Sequence, residues 1–115
     1  MAQRSIERDV LVSTTFDLPG YRVERYLGTT FGLVVRSVGL AKGITGSLRA
    51  LKAGEVPEYT QLLEDSRRHA MDRLLENAKA MGANAVLGMR FDSSEIGQGL
   101  AEIVAYGTAV IVASS

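Results

Sequence analysis

Residues Ala101 to Ala113 read AEIVAYGTAVIVA, apolar on both sides of a two-residue period. Ile103, Ala105, Ala109 and Ile111 fall on one side, and Val104, Tyr106, Val110 and Val112 on the other. A strand with no polar side must be covered on both faces. Phe31 to Val38, with Leu33, Val34 and Val35 in a row, makes the same demand. The sequence offers one long helix as cover. Pro57 suits a first helical turn, where its missing N–H is not needed. Apolar or small residues at Tyr59, Leu62, Leu63, Ser66, Ala70, Leu74, Ala78 and Met81 then trace one inward face, and Gly82 is the stop. The opposite side carries Glu64, Asp65, Arg68, Asp72, Glu76 and Lys79, with pairs such as Glu64 and Arg68 one turn apart. One helix covers one face of a small sheet, and no second helix of comparable length is predicted. The remaining face calls for a second copy of the chain, or for a sheet that curls and buries its own inner side.

The other segments supply the sheet. Val10 to Phe16 is rich in β-branched residues and closes on Asp17-Leu18-Pro19-Gly20, a turn. Tyr21 to Leu27 reads as a half-exposed strand ended by Gly28. Gly39 to Gly54 reads as a helical connector in which Ser47 caps a short helix over Leu48 and Leu51. In Ala85 to Asp92, strict alternation sends Ala85, Leu87, Met89 and Phe91 to the helix and Val86, Gly88, Arg90 and Asp92 to the far face. Ser93 to Leu100, with Gly97 and Gly99, reads as a hairpin loop. The expected fold is α+β: a small antiparallel sheet of about five strands with one long helix on one face.

Composition narrows the partners. At 115 residues the chain is the size of one domain, residues 1–115, with residues 1–9 read as a flexible start. Thirteen basic and thirteen acidic residues leave no net field to attract nucleic acid or an anionic membrane. Residues 1–9 are charged and lack the apolar core of a signal peptide, and no stretch approaches a bilayer span, so the expected location is the cytoplasm. The charges are unevenly placed. Tyr26 to Gly54 holds Arg36, Lys42, Arg49 and Lys52 and no acid, whereas Glu55 to Glu76 holds six acids, three bases and His69. These regions are either solvated surface or mutually attractive between copies.

Few residues suggest chemistry. There is no cysteine, which removes disulfides, thiolate metal sites and thiol catalysis. His69 is the only histidine, so it is a metal ligand only if other donors or symmetry mates join it. Asp92 and Glu102 flank the hairpin, and a register whose residue numbers sum to 194 sets them opposite each other as a carboxylate pair for a hard cation. Ser13, Thr14 and Thr15 are strand hydroxyls with no base at a diagnostic spacing, so a hydrolase is the weakest reading. Gly39, Gly43 and Gly46 lack the lysine-serine signature of a phosphate loop. Arg36 and Arg90 are isolated charges in apolar strands, paired at an interface or clamping a ligand.

Taken together, Val12-Ser13-Thr14-Thr15, Tyr26-Leu27-Gly28, Val35-Arg36-Ser37, Gly54-Glu55, Gly82-Ala83-Asn84-Ala85-Val86, Phe91-Asp92 and Ala105-Tyr106-Gly107-Thr108-Ala109-Val110 resemble the YbjQ-like family across roughly Val10 to Val112. The resemblance implies a small α+β protein similar in architecture to the dodecin-like fold, assembling into a ring-shaped homopentamer. It also implies a heavy-metal-binding label without an assigned activity. The expected function is a non-enzymatic homo-oligomeric binding protein whose small ligand or metal ion sits at subunit junctions. The candidate ligand residues are Ser13, Thr14, Thr15, Arg36, Ser37, Arg90, Asp92 and Ser93. The alternative is metal binding through His69 or through Asp92 and Glu102.

Overall fold

The computed structural model describes residues 10–37, 57–97 and 99–115. Residues 1–9, read above as a flexible start, and the expected Gly39 to Gly54 connector with its Ser47 cap lie outside the described residues. Within them the order is β1 (Leu11–Val12), β2 (Tyr21–Ser37), α1 (Pro57–Ala80), β3 (Ala85–Gly97) and β4 (Leu100–Ser114). The strands form one sheet in the order β1-β3-β4-β2. Four strands replace the expected five, because Gly28 does not end a strand. Its φ of +122° sits at a register shift between Tyr26 and Gly28, so β2 bends there and continues for 17 residues. The sheet is mixed rather than antiparallel: β1 runs parallel to β3, while β3 with β4 and β2 with β4 are antiparallel.

The helix behaves as its stripe predicts. Ser66, Ala70, Leu74 and Ala78, each four residues after the last, are all fully buried. Gly82 caps it with φ +94°, donating from its N–H to Lys79 O at 2.9 Å while the Ala83 N–H reaches Ala78 O at 3.0 Å. The helix lies closest to β2. A Cβ placed on Gly32 would stand 2.2 Å from Ala70 O and 2.4 Å from Leu74 N, so only glycine admits this approach. The buried Thr30 hydroxyl donates to Leu74 O at 3.2 Å beside it.

The far flank of α1 binds the outer edge of β2. Arg73 Nη1 donates to Leu33 O at 2.6 Å and Asn77 Nδ2 to Phe31 O at 2.7 Å. Thr29 to Val35 contains no charge and no proline, so an uncapped edge here would invite strand addition. Two side chains of the helix occupy those carbonyls instead.

Strict alternation fails in β3. Leu87 pairs with Thr108 and Arg90 with Tyr106, so Gly88 and Met89 together oppose Gly107. Gly88, at φ +63°, makes this bulge possible. Its consequence is a change of face: Val86, Met89 and Phe91 pack with the helix, whereas Ala85 and Leu87 join Val110 and Val112 on the other side. The expected assignment of Ala85 and Leu87 to the helix is therefore corrected, while Arg90 and Asp92 do fall on the outer face.

Among the described residues that outer face is covered at one end only. Leu11, Leu18 and Val23 pack on Ala85, Leu87, Val110 and Val112, forming a second small core beneath the segment that leads from β1 to β2. Beyond it the face is bare. Tyr26, Phe31, Leu33, Val35 and Tyr106 are exposed, Phe31 at 56% and Tyr106 at 39%. At roughly 200 Å² per ring, Tyr26, Phe31 and Tyr106 alone present on the order of 300 Å² of surface.

Candidate functional site

The sequence-predicted ligand residues fall into three places. At the base of the bare outer face, the segment after β1 follows β3 as far as the bulge: Gly88 N–H donates to Thr15 O at 2.8 Å and Met89 N–H to Ser13 O at 3.0 Å. Ser13 Oγ and Thr15 Oγ1 lie 2.5 Å apart, and Thr15 Oγ1 donates to Asp17 O at 2.5 Å. These hydroxyls are committed to the loop's own turn, and among the described residues their hydrogen-bond partners are each other and the loop backbone rather than a base. Arg90 ties the loop down, donating from Nη1 to Thr14 O at 2.8 Å and to Met89 O at 2.9 Å, with its guanidinium 5.6 Å from the centre of the Phe16 ring. The structure thus brings Ser13, Thr14, Thr15 and Arg90 together.

Arg36 is elsewhere. It pairs with Ala101 near the hairpin end and faces the helix, where Nε donates to Ser66 Oγ at 3.0 Å and Nη2 meets His69 Nδ1. A guanidinium only donates, so Nδ1 is the acceptor and the His69 proton sits on Nε2. This arginine latches the first half of α1 to β2; it does not face the Arg90 group. Ser37 follows it on β2, opposite Leu100.

The carboxylate pair does not form. From Arg90 to Glu95 the β3–β4 register sums to 196 rather than 194, because both strands run on past the expected loop to the turn between Gly97 and Leu100. Asp92 lies opposite Val104, and Glu102 opposite Ser94. Asp92 Oδ1 accepts from its neighbour Ser93 N–H at 2.9 Å, and Glu102 Oε1 accepts from Ser94 Oγ at 3.3 Å. Among the described residues no group of three His, Asp or Glu side chains is placed to hold a metal ion.

One surface was not marked by any motif. On the β3 side of α1 two clefts meet at Arg67. One is lined by Glu64, Arg67, Arg68, Met71, Asp72 and Phe91, the other by Leu63, Arg67, Ser93, Glu95 and Ile103 among others. The Arg67 guanidinium stands 5.2 Å from the Phe91 ring centre between them. The sequence signal was the exposed Leu63 within the apolar stripe, read there as core.

Comparison with known proteins supplies the kinship. The profile of the YbjQ family, described as "Putative heavy-metal-binding", matches residues 10–113. A UPF0145 protein of Bradyrhizobium sp. (strain ORS 278) is 55% identical over 107 residues, 93% of this chain and 96% of its own length. UPF0145 proteins of the archaea Methanoregula boonei and Sulfurisphaera tokodaii are 55% and 48% identical, over 90% and 95% of this chain and 87% and 96% of their own lengths. Among solved structures, a protein of unknown function from Pediococcus pentosaceus, of the DUF74 family, aligns with a TM-score of 0.49 and 12% identity over 90% of this chain and 98% of its own. Within one copy the described residues do not assemble a donor set for a heavy metal. There is no cysteine, and the one histidine gives its Nδ1 to a guanidinium.

Proposed function

The chain belongs to the YbjQ family, and from that premise we propose that it is a non-enzymatic, cytoplasmic homo-oligomeric binding protein, a pentameric ring, with its ligand site at the junction between copies. The observation that carries this reading is the bare end of the outer sheet face, where Phe31, Leu33, Val35 and Tyr106 are exposed beside a sheet end that the chain covers with its own Leu11 and Leu18. Hydrophobic cover is provided where the chain can reach and left out where a neighbour can supply it. Arg90, Asp92 and Ser93 border this face, and the Ser13 to Thr15 loop is fastened to Arg90, so a neighbour seated on the face forms a crevice against them. Arg36 and Ser37 join such a site only from another copy, because in their own chain Arg36 faces the helix.

The family description raises a second reading, metal binding through His69 or through Asp92 and Glu102. In one chain these groups do not converge, so this reading also needs a neighbour to bring donors together. Native mass spectrometry of protein purified without added ligand tests both readings at once. Five-fold mass is expected, with any retained small molecule or metal resolved as added mass. A monomer at micromolar concentration would sink the first reading, and a metal-free ring that gives no heat with zinc, copper, nickel or calcium would sink the second.

A further inference from the structure

The sheet has two edges, and they are treated differently. The outer edge of β2 is occupied over Phe31 and Leu33 by Asn77 and Arg73, and the last residues of the helix stand over Gly28, where Met81 Cε is 3.9 Å from the position of a Cβ. Tyr21 to Tyr26 therefore lie past the end of the helix, with no strand on their outer side among the described residues. The edge of β3 is also divided. The segment after β1 accompanies it to Met89, and from Arg90 to Gly97 β4 is its only strand partner among the described residues. Along that length the Ser93 N–H donates to the carboxylate of the preceding residue, Asp92, at 2.9 Å.

We propose that β3 from Arg90 to Gly97 accepts the first half of β2, Tyr21 to Tyr26, from a second copy of the chain, extending the sheet from one copy to the next. The inference rests on the homo-oligomeric reading above. Charge complementarity selects the occupant. The open edge of β3 carries Asp92 and Glu95 beyond Arg90, and the free end of β2 carries Arg22 and Arg25 on either side of Glu24. Within one copy, among the described residues, Glu95 and Arg25 have no ion-pair partner, Asp92 accepts from the Ser93 N–H, and Arg22 donates to Ser114 O at 2.7 Å and pairs with Glu24 at 3.1 Å in an exposed bridge of little energetic weight. The contact also continues the bare outer face, since Asp92 and Ser94 lie opposite Val104 and Glu102 on that face. Because donor and acceptor edges are different surfaces, the contact is head-to-tail, the kind that closes rings or runs on as filaments. Backbone pairing supplies its affinity and the charges its register.

A charge-exchange series on the full-length chain tests this by native mass spectrometry and sedimentation, with circular dichroism confirming that each variant is folded. Asp92→Arg with Glu95→Arg, and separately Arg22→Glu with Arg25→Glu, are each expected to reduce the oligomer to monomer at low micromolar concentration. The four substitutions combined in one chain are expected to restore the wild-type mass. The edge assignment is overturned if neither pair changes the mass, or if the combined variant stays dissociated while each variant is folded. Phe31→Asp with Tyr106→Asp separates the two ideas: dissociation by this pair together with indifference to every charge exchange keeps the oligomer and removes the edge contact. A monomeric wild-type chain removes both.

Discussion

Replacing Gly32 by alanine puts one methyl group between β2 and α1, and the structure sets the size of the effect. The new Cβ would lie 2.2 Å from Ala70 O, 2.4 Å from Leu74 N and 2.8 Å from Arg73 Cβ, and the first two are helix backbone that cannot rotate away. Ordinary contact needs more than 3.4 Å, so strand and helix must part by roughly 1 Å at their closest point. A gap of about 0.5–1 Å forfeits a quarter to a half of a packing contact's attraction. Ser66, Ala70, Leu74 and Ala78, fully buried along this seam, all lose in that proportion. Half the burial of Leu74 with smaller losses at the alanines, added to the usual overpacking cost, comes to about 2–4 kcal/mol. Urea unfolding followed by circular dichroism measures it, with Gly20→Ala as control. Gly20 has no atom within 4 Å of its Cβ position, so its cost is confined to its φ of +86°, on the order of 1 kcal/mol. A Gly32→Ala loss below about 0.5 kcal/mol, or one no larger than the control's, would refute the seam as the reason for glycine at this position.

Two further variants probe other contacts. Asn84 Nδ2 donates to Val112 O at 3.0 Å and its Oδ1 accepts from Val112 N–H at 2.8 Å, so Asn84→Ala unpairs two half-buried backbone groups and should cost about 2–3 kcal/mol in the same unfolding assay. Arg73→Ala with Asn77→Ala frees the Phe31 and Leu33 carbonyls on an edge with no charge from Thr29 to Val35; the expected result is a nearly unchanged unfolding midpoint with growing light scattering and thioflavin fluorescence, and a variant as clear as wild type would show that the edge needs no cap.

Much of this was legible in the chain because it depends on neighbours in sequence. The i, i+4 row from Ser66 to Ala78 states which side of the helix is buried, and Gly82 states where the helix turns out, since the backbone there needs a positive φ. The two-sided apolar character of β4 shows in its burial, Ile103 and Ala105 beneath the helix and Val110 and Val112 beneath the segment after β1. The candidate site was less legible. Arg36 and Arg90 look alike as lone arginines in apolar strands, yet one latches the helix through Ser66 and His69 and the other pins the loop after β1. Arg73 and Asn77 look like ordinary polar positions on an exposed helix flank.

The elements and their apolar surfaces are written locally, because periodicity and turn residues act within a few positions. Which surface meets which is settled only in three dimensions. The bulge at Gly88 and Met89 exists only against Gly107, and it carries Leu87 to one face and Met89 to the other. The register that parts Asp92 from Glu102 is set by where Gly97 and Leu100 pair. The loop after β1 covers half of the outer face because a parallel pairing across more than seventy residues puts it there. Such choices are made by strands distant in sequence competing for one sheet, and the half that no described strand covers is where a partner should be sought.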